Sequence, residues 1–219
     1  MAEGSVVAAK KIVNTDVVLE QFDLKGLEFR GCALAQFEHP LMAVVRRGTL
    51  SRCKAVGCSV HGVRFEEIVA ENITFSKPMN FAACTFRQVR LEGRIGAFLT
   101  TPPHYSLSEE VSRTFVDAMV SYYRDVDWAL DISGAEFSDA SLYMVPGDLV
   151  RRNEETQFLL RRSVFEAAGD GLPSSAASYR DRFSRTPFDS FVEIAPVRSK
   201  YFREFHEELT ELRRLGLAE

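Results

Sequence analysis

MNFAACTFRQVRLEG, residues 79–93, is the stretch on which the fold turns. Apart from Ala82 and Ala83, its apolar residues are Met79, Phe81, Cys84, Phe86, Val89 and Leu91, so the spacing runs two, three, two, three, two. Side chains two apart share one face of a β-strand, which explains the twos. A straight strand cannot explain the threes, whereas a chain that turns a corner after each short strand can. Upstream, the same period runs from Cys53 as CKAVG, CSVHG, VRFEE, IVAEN and ITFSK, and from Val17 as VVLEQ, FDLKG, LEFRG and CALAQ. In all 12 pentads the first and third positions are apolar, while the other three are mostly polar, charged or Gly. Positions one and three are therefore expected to point inward, with neighbouring coils stacked to bury a face that no coil can bury alone. Residues 37–52, FEHPLMAVVRRGTLSR, do not fit the period and are expected to form a degenerate coil or an inserted loop.

FDLKG, LEFRG and CTFRQ carry a resemblance to the pentapeptide-repeat family over about residues 17–93. That resemblance implies a short right-handed four-sided β-helix of about four pentads per coil. The chain departs from the family pattern in its bulky first positions Phe22, Leu27 and Ile68, and in having an acid or Asn at position two only at Asp23, Glu28 and Asn80. All four cysteines, Cys32, Cys53, Cys58 and Cys84, share pentad position one. With no CxxC pair and no His at ligand spacing, they read as small core hydrophobes in a reducing compartment rather than as a metal site or disulfides. No metal and no cofactor is expected.

Residues 1–100 hold 13 Lys+Arg against 10 Asp+Glu, and residues 101–219 hold 14 against 21, so the halves carry +3 and −7 of the net −4. The seam coincides with Pro102 and Pro103 in LTTPPHYSLS. The expected fold class is α+β, with the four-sided β-helix over 1–100 and a mainly α-helical domain over 101–219. In the second half Val111, Phe115, Met119 and Tyr122 recur at helical spacing, with Ser106 and Glu109 as a capping box. Asn153 is expected to cap a second helix that ends at Gly169 or Gly171, and Phe202, Phe205, Leu209, Leu212 and Leu215 form the stripe of a last one. WALDIS and FVEIA read as short strands, and residues 169–178 as a loop. DWALDIS, VPGDLVRRNEETQ and FVEIAPVRSKYF resemble segments of uncharacterised bacterial proteins with no known activity, so they imply no function.

Composition narrows function more than motifs assign it. With hydrophobic residues at 46% and charged residues at 26%, the chain reads as globular. The longest uncharged apolar run, Leu41–Val45, is far short of the roughly 20 residues of a membrane span. MAEGSVVAAKK shows no secretory signal, which together with the cysteines points to the cytoplasm. GxSxG, HExxH and Walker patterns are absent, and the four His are isolated in sequence. DNA mimicry needs an acidic rod and is disfavoured by the +3 charge of residues 1–100. The leading expectation is a non-enzymatic interaction protein that binds a protein partner, with a homodimer as one form. The alternative is an enzyme or small-ligand binder whose polar pocket lies between the halves, lined by Trp128, Asp131, Asp148, Arg151 and Arg152. Arg forks suit phosphate or carboxylate, and a Trp suits a partner anchor.

Overall fold

The structure is a computed structural model that describes residues 5–169, 172 and 176–219. Strands in the first half are short and come in threes. The first of each three, β1 (Val6–Ala8), β4 (Glu28–Arg30), β7 (Lys54–Val56) and β10 (Thr74–Phe75), form one parallel sheet. The second, β2 (Lys11–Val13), β5 (Ala33–Ala35), β8 (Ser59–His61) and β11 (Met79–Ala82), form another, which β14 (Phe98–Thr101) and β17 (Ala140–Ser141) extend. The third are long: β3 (Val18–Lys25), β6 (Ala43–Ser51), β9 (Val63–Glu71) and β13 (Val89–Ile95), followed in the same sheet by β15 (Leu130–Asp131) and β18 (Val150–Arg151). β12 (Thr85–Arg87) adds to β9, and β16 (Ala135–Phe137) adds to β13. The chain thus visits three parallel sheets in rotation, and the helices lie outside or beyond them.

The expected four-sided β-helix followed by a mainly helical half is overturned, and with it the description of the chain as a β-solenoid. The architecture is α/β: several parallel sheets of four, six and eight strands with helices packed against them. Two physical reasons explain the difference. First, pairs of pentads run on as single strands. The three-residue step from Leu19 to Phe22 is taken up by Gln21 at φ 56°, and the corresponding steps by Arg47 and Glu67 at φ 53° and 55°. Each is one left-handed residue that skips the ladder between Glu20↔Arg46 and Phe22↔Gly48, or between Arg46↔Glu66 and Gly48↔Ile68. Second, residues 129–151 hold no α-helix, only a short 3-10 turn at Gly147–Leu149; β15, β16, β17 and β18 continue the parallel sheets.

Residues 43–51 are neither insertion nor degenerate coil, because β6 pairs with β3 on one side and β9 on the other. Its inward residues Ala43, Val45, Gly48 and Leu50 keep the period of five. Gly48 hid the pattern, and the ring of Phe22 needs it: a Cβ there would lie 2.2 Å from Phe22 Cζ.

Helix α1 (Glu109–Tyr123) packs on the outside of this assembly. The hydroxyl of Ser108, not Ser106, accepts from the Val111 amide at its start. Buried Phe115 and Met119 face Ala83 and Met144, and the Phe86 amide donates to Tyr123 Oη at 3.1 Å. Tyr122 Oη donates to the buried carboxylate of Glu66 at 3.0 Å, and burial together with that carboxylate raises its pKa well above the ordinary phenol. His61 secures the segment before the helix. Its Nδ1 lies 2.5 Å from Gln36 O, and the His104 amide donates to its Nε2 at 3.0 Å. Nδ1 therefore carries the proton, and burial depresses the pKa of the ring.

The expected helix capped by Asn153 is instead a turn followed by strand β19 (Gln157–Arg161), antiparallel to β20 (Ser190–Ile194). Asn153 Oδ1 accepts from the Glu155 amide and caps that turn. Helices α2 (Arg162–Ala168), α3 (Ala177–Arg185) and α4 (Phe202–Arg214) bury Phe165, Phe183, Leu209 and Leu212 with Phe158 and Phe191 in a second core. Gly169 ends α2 at φ 53°. Of the expected 169–178 loop, residues 170, 171 and 173–175 lie outside the described residues, and so does the alternative helix stop at Gly171.

Candidate functional site

Covered and uncovered sheet edges distinguish the two ends of this molecule. At the far end, the β19–β20 ribbon lies across the sheets. Leu159, Val192 and Ile194 enter the main core, Gln157 Nε2 donates to Ile132 O at 3.0 Å, and the Arg198 amide donates to Phe137 O at 3.1 Å. At the near end, β1, β2 and β3 terminate the three sheets, and among the described residues no strand pairs with their outer edges. Each edge strand therefore presents amide and carbonyl groups with no ladder partner. Val6, Val13, Val18 and Leu19 are 55%, 42%, 47% and 38% exposed along that edge. Charges border it: Glu20 accepts from Arg47 and from Arg46 Nε, and these two guanidiniums hold its carboxyl below the usual carboxylate range.

From this edge a cavity of about 690 Å³ runs inward between the sheets. Its walls are the inward rows of the ladders. One row is Val7, Phe29, Ala55 and Phe75, another is Ile12, Leu34, Val60 and Phe81. The buried rings of Phe86 and Phe98 form its floor. Phe65, Phe75 and Phe81 sit mid-assembly but remain only partly buried, because the rows leave space between them. Ala55 is the one small residue in those two rows. Among the described residues, the charged side chains in the lining are Lys10, Glu20 and Lys54. The thiols of Cys32 and Cys58 border the cavity and point back to Val7 O and Phe29 O, each at 3.4 Å. All four cysteines are free thiols, and burial pushes Cys84 up to about 12.

The five residues singled out from the sequence lie at the other end, in different settings. Arg151 stacks its guanidinium 4.2 Å over the Trp128 ring. Asp131 is the ladder partner of Arg151, but its carboxylate turns to the Ser133 hydroxyl at 2.7 Å and to Arg90 at 3.6 Å. Asp148 accepts from Ser190 Oγ at 2.6 Å and pairs with Arg161 at 2.7 Å; although burial works the other way, these partners hold it below the ordinary aspartate range. Arg152 lies just past the end of β18, and its Nε is buried without a hydrogen-bond partner among the described residues. A polar surface groove of about 420 Å³ is lined by Glu71, Arg90, Glu92, Ser133 and, of the five, Asp131 alone.

Sequence reasoning placed the cavity residues Phe22, Phe29, Phe65 and Phe81 inward but took the interior to be filled. The available signal was the small residues Ala55 and Ala70 at inward positions. Among the described residues no helix is long and apolar enough to cross a membrane. Comparison with family models, curated proteins and solved structures gives no match.

Proposed function

We propose that this chain is a non-enzymatic interaction protein that docks a protein partner on the open edge formed by β1, β2 and β3. The observation that carries this reading is the conjunction, on one edge, of unpaired strand backbones with four exposed large apolar side chains. Natural sheets guard such edges with charges, Pro or a covering element. A partner strand added there would satisfy the backbone groups and bury the valines together. A second copy of the chain is the first partner to test, since both copies would contribute the same edge. We assign the protein to the cytoplasm, an assignment supported by four free thiols.

The test is sedimentation velocity of the full chain beside Val6→Lys/Val13→Lys, with amide hydrogen exchange of β1–β3. The expected result is a dimer with protected edge amides, converted to monomer by the lysines. If the wild type is a monomer whose edge amides exchange freely, and affinity purification from its host recovers no stoichiometric protein protected on these strands, the reading fails.

A further inference from the structure

Protein interiors seldom hold voids larger than a water molecule, because each wall atom facing empty space forgoes dispersion contacts. A cavity of about 690 Å³ is outside that norm and inside the size range of ligand pockets. Its chemistry is also selective. The walls are Phe, Leu, Val, Ile, Ala and thiol groups, so water would find few partners there, and apolar cavities of this kind take up apolar molecules. The shape is elongated: the row from Val7 through Phe29 and Ala55 to Phe75 crosses four strands, a depth of about 14 Å at the usual strand spacing. The far end is closed by Phe86 and Phe98, whereas the near end carries Lys10 and Glu20 on the first strand layer.

We propose that this cavity is a binding site for a hydrocarbon chain, taken in lengthwise from the open edge, with the polar head of the amphiphile left at the rim. The chain replaces the missing wall contacts, and the head stays in water beside Lys10 and Glu20. This inference goes beyond edge docking and is tested apart from it: Val18 and Leu19 of the exposed edge line the cavity, whereas Val6 and Val13, the two replaced in the docking test, do not.

The probe is N-phenyl-1-naphthylamine, a neutral apolar fluorophore, titrated into the full chain and then displaced with palmitate or with phosphatidylcholine vesicles. The expected result is a saturable fluorescence rise at one probe per chain, lost on adding competitor. Displacement by palmitate alone assigns free fatty acid as the source, and displacement by vesicles assigns a lipid tail. Palmitate should also slow maleimide labelling of Cys32 and Cys58. Ala55→Phe places a ring inside and should abolish probe binding while leaving the melting temperature equal or higher; Val60→Phe repeats the test from a second row if the first variant misfolds. The Val6→Lys/Val13→Lys chain should bind the probe normally even after losing its partner, which separates the two readings. No saturable binding to the wild type, or undiminished binding to a folded cavity-filled variant, overturns the proposal.

Discussion

Replacing Gly48 by Ala sets one methyl group against the ring of Phe22. The Cβ would fall 2.2 Å from Phe22 Cζ and 2.3 Å from Cε2, well inside contact distance, so the ring must leave its place. Overpacking of this kind costs about 1–3 kcal/mol. Gly48 does not occupy the left-handed region, so the same change made where space exists should stabilise by roughly 0.4–1 kcal/mol through the unfolded chain. The sign of the effect thus depends on Phe22. In a Phe22→Ala background, Gly48→Ala should become neutral to stabilising, giving a coupling energy of about 2–3 kcal/mol between the two positions. Urea titration of the four proteins of this cycle measures it, with the slope of the transition held constant as the check on two-state behaviour. The cost of Phe22→Ala itself cancels in the cycle. If Gly48→Ala costs the same in both backgrounds, the register of β3 on β6 is wrong.

Three further outcomes follow from the geometry. His61 is held neutral by burial, so the unfolded chain binds a proton near pH 6.5 that the folded chain refuses. Stability should therefore fall as pH drops below about 6.5, by up to roughly 1.4 kcal/mol per pH unit until the depressed folded pKa is reached. His61→Phe should flatten that part of the pH profile followed by chemical denaturation, and an unchanged profile would falsify the assignment. Glu193, almost fully buried, has its carboxyl pushed up by burial against the opposing pull of Arg182, its ion-pair partner. Glu193→Ala should cost about 3–5 kcal/mol, whereas Arg182→Met/Glu193→Leu should cost much less; equal losses would contradict an uncompensated charge as the cause. Under native conditions maleimide should label Cys32 and Cys58 first and Cys84 last, since Cys84 is buried with a pKa of about 12. Mass-spectrometric timing that shows Cys84 among the fast sites would refute its placement.

The inward phase of the chain was legible because it rests on transfer free energy alone. Leu27, Cys53, Val63, Ile68, Cys84, Phe86, Val89 and Leu91 all occupy position one or three and are all buried. Helices α1 and α4 were legible for the same reason at a different period. The sheets themselves were not legible. A reset of five reads as a corner whether the chain turns between strands or passes one left-handed residue inside a strand, as it does at Gln21, Arg47 and Glu67. No propensity rule places an Arg or a Glu at φ above 50°. Strand β19 was hidden because QFLLR is continuously apolar in its middle, a pattern shared by buried strand and buried helix. The candidate residues Trp128, Asp131, Asp148, Arg151 and Arg152 carry chemistry close in sequence, yet Asp131 turns to Ser133 and Arg90 whereas Asp148 turns to Ser190 and Arg161. The small inward residues Ala55 and Ala70 hinted at space, but the size of the cavity could not be read, since the sum of side-chain volumes between three sheets depends on their separation.

The rotation of the chain through three sheets also sets how it folds. Val6 pairs with Glu28, Val18 with Val44, Ala43 with Val63 and Val69 with Arg90, so successive ladders close loops of 22, 26, 20 and 21 residues. Each closure carries nearly the same entropic cost, and each new strand lands on a template already made. The one irregular step is from Val89 to Leu130, 41 residues apart, where α1 is spliced into the path. Doubling the loop adds only about 0.6 kcal/mol to that closure. A whole helix can therefore be carried between two neighbouring strands with little change in the height of the barrier, which makes this the point in the chain most tolerant of added length.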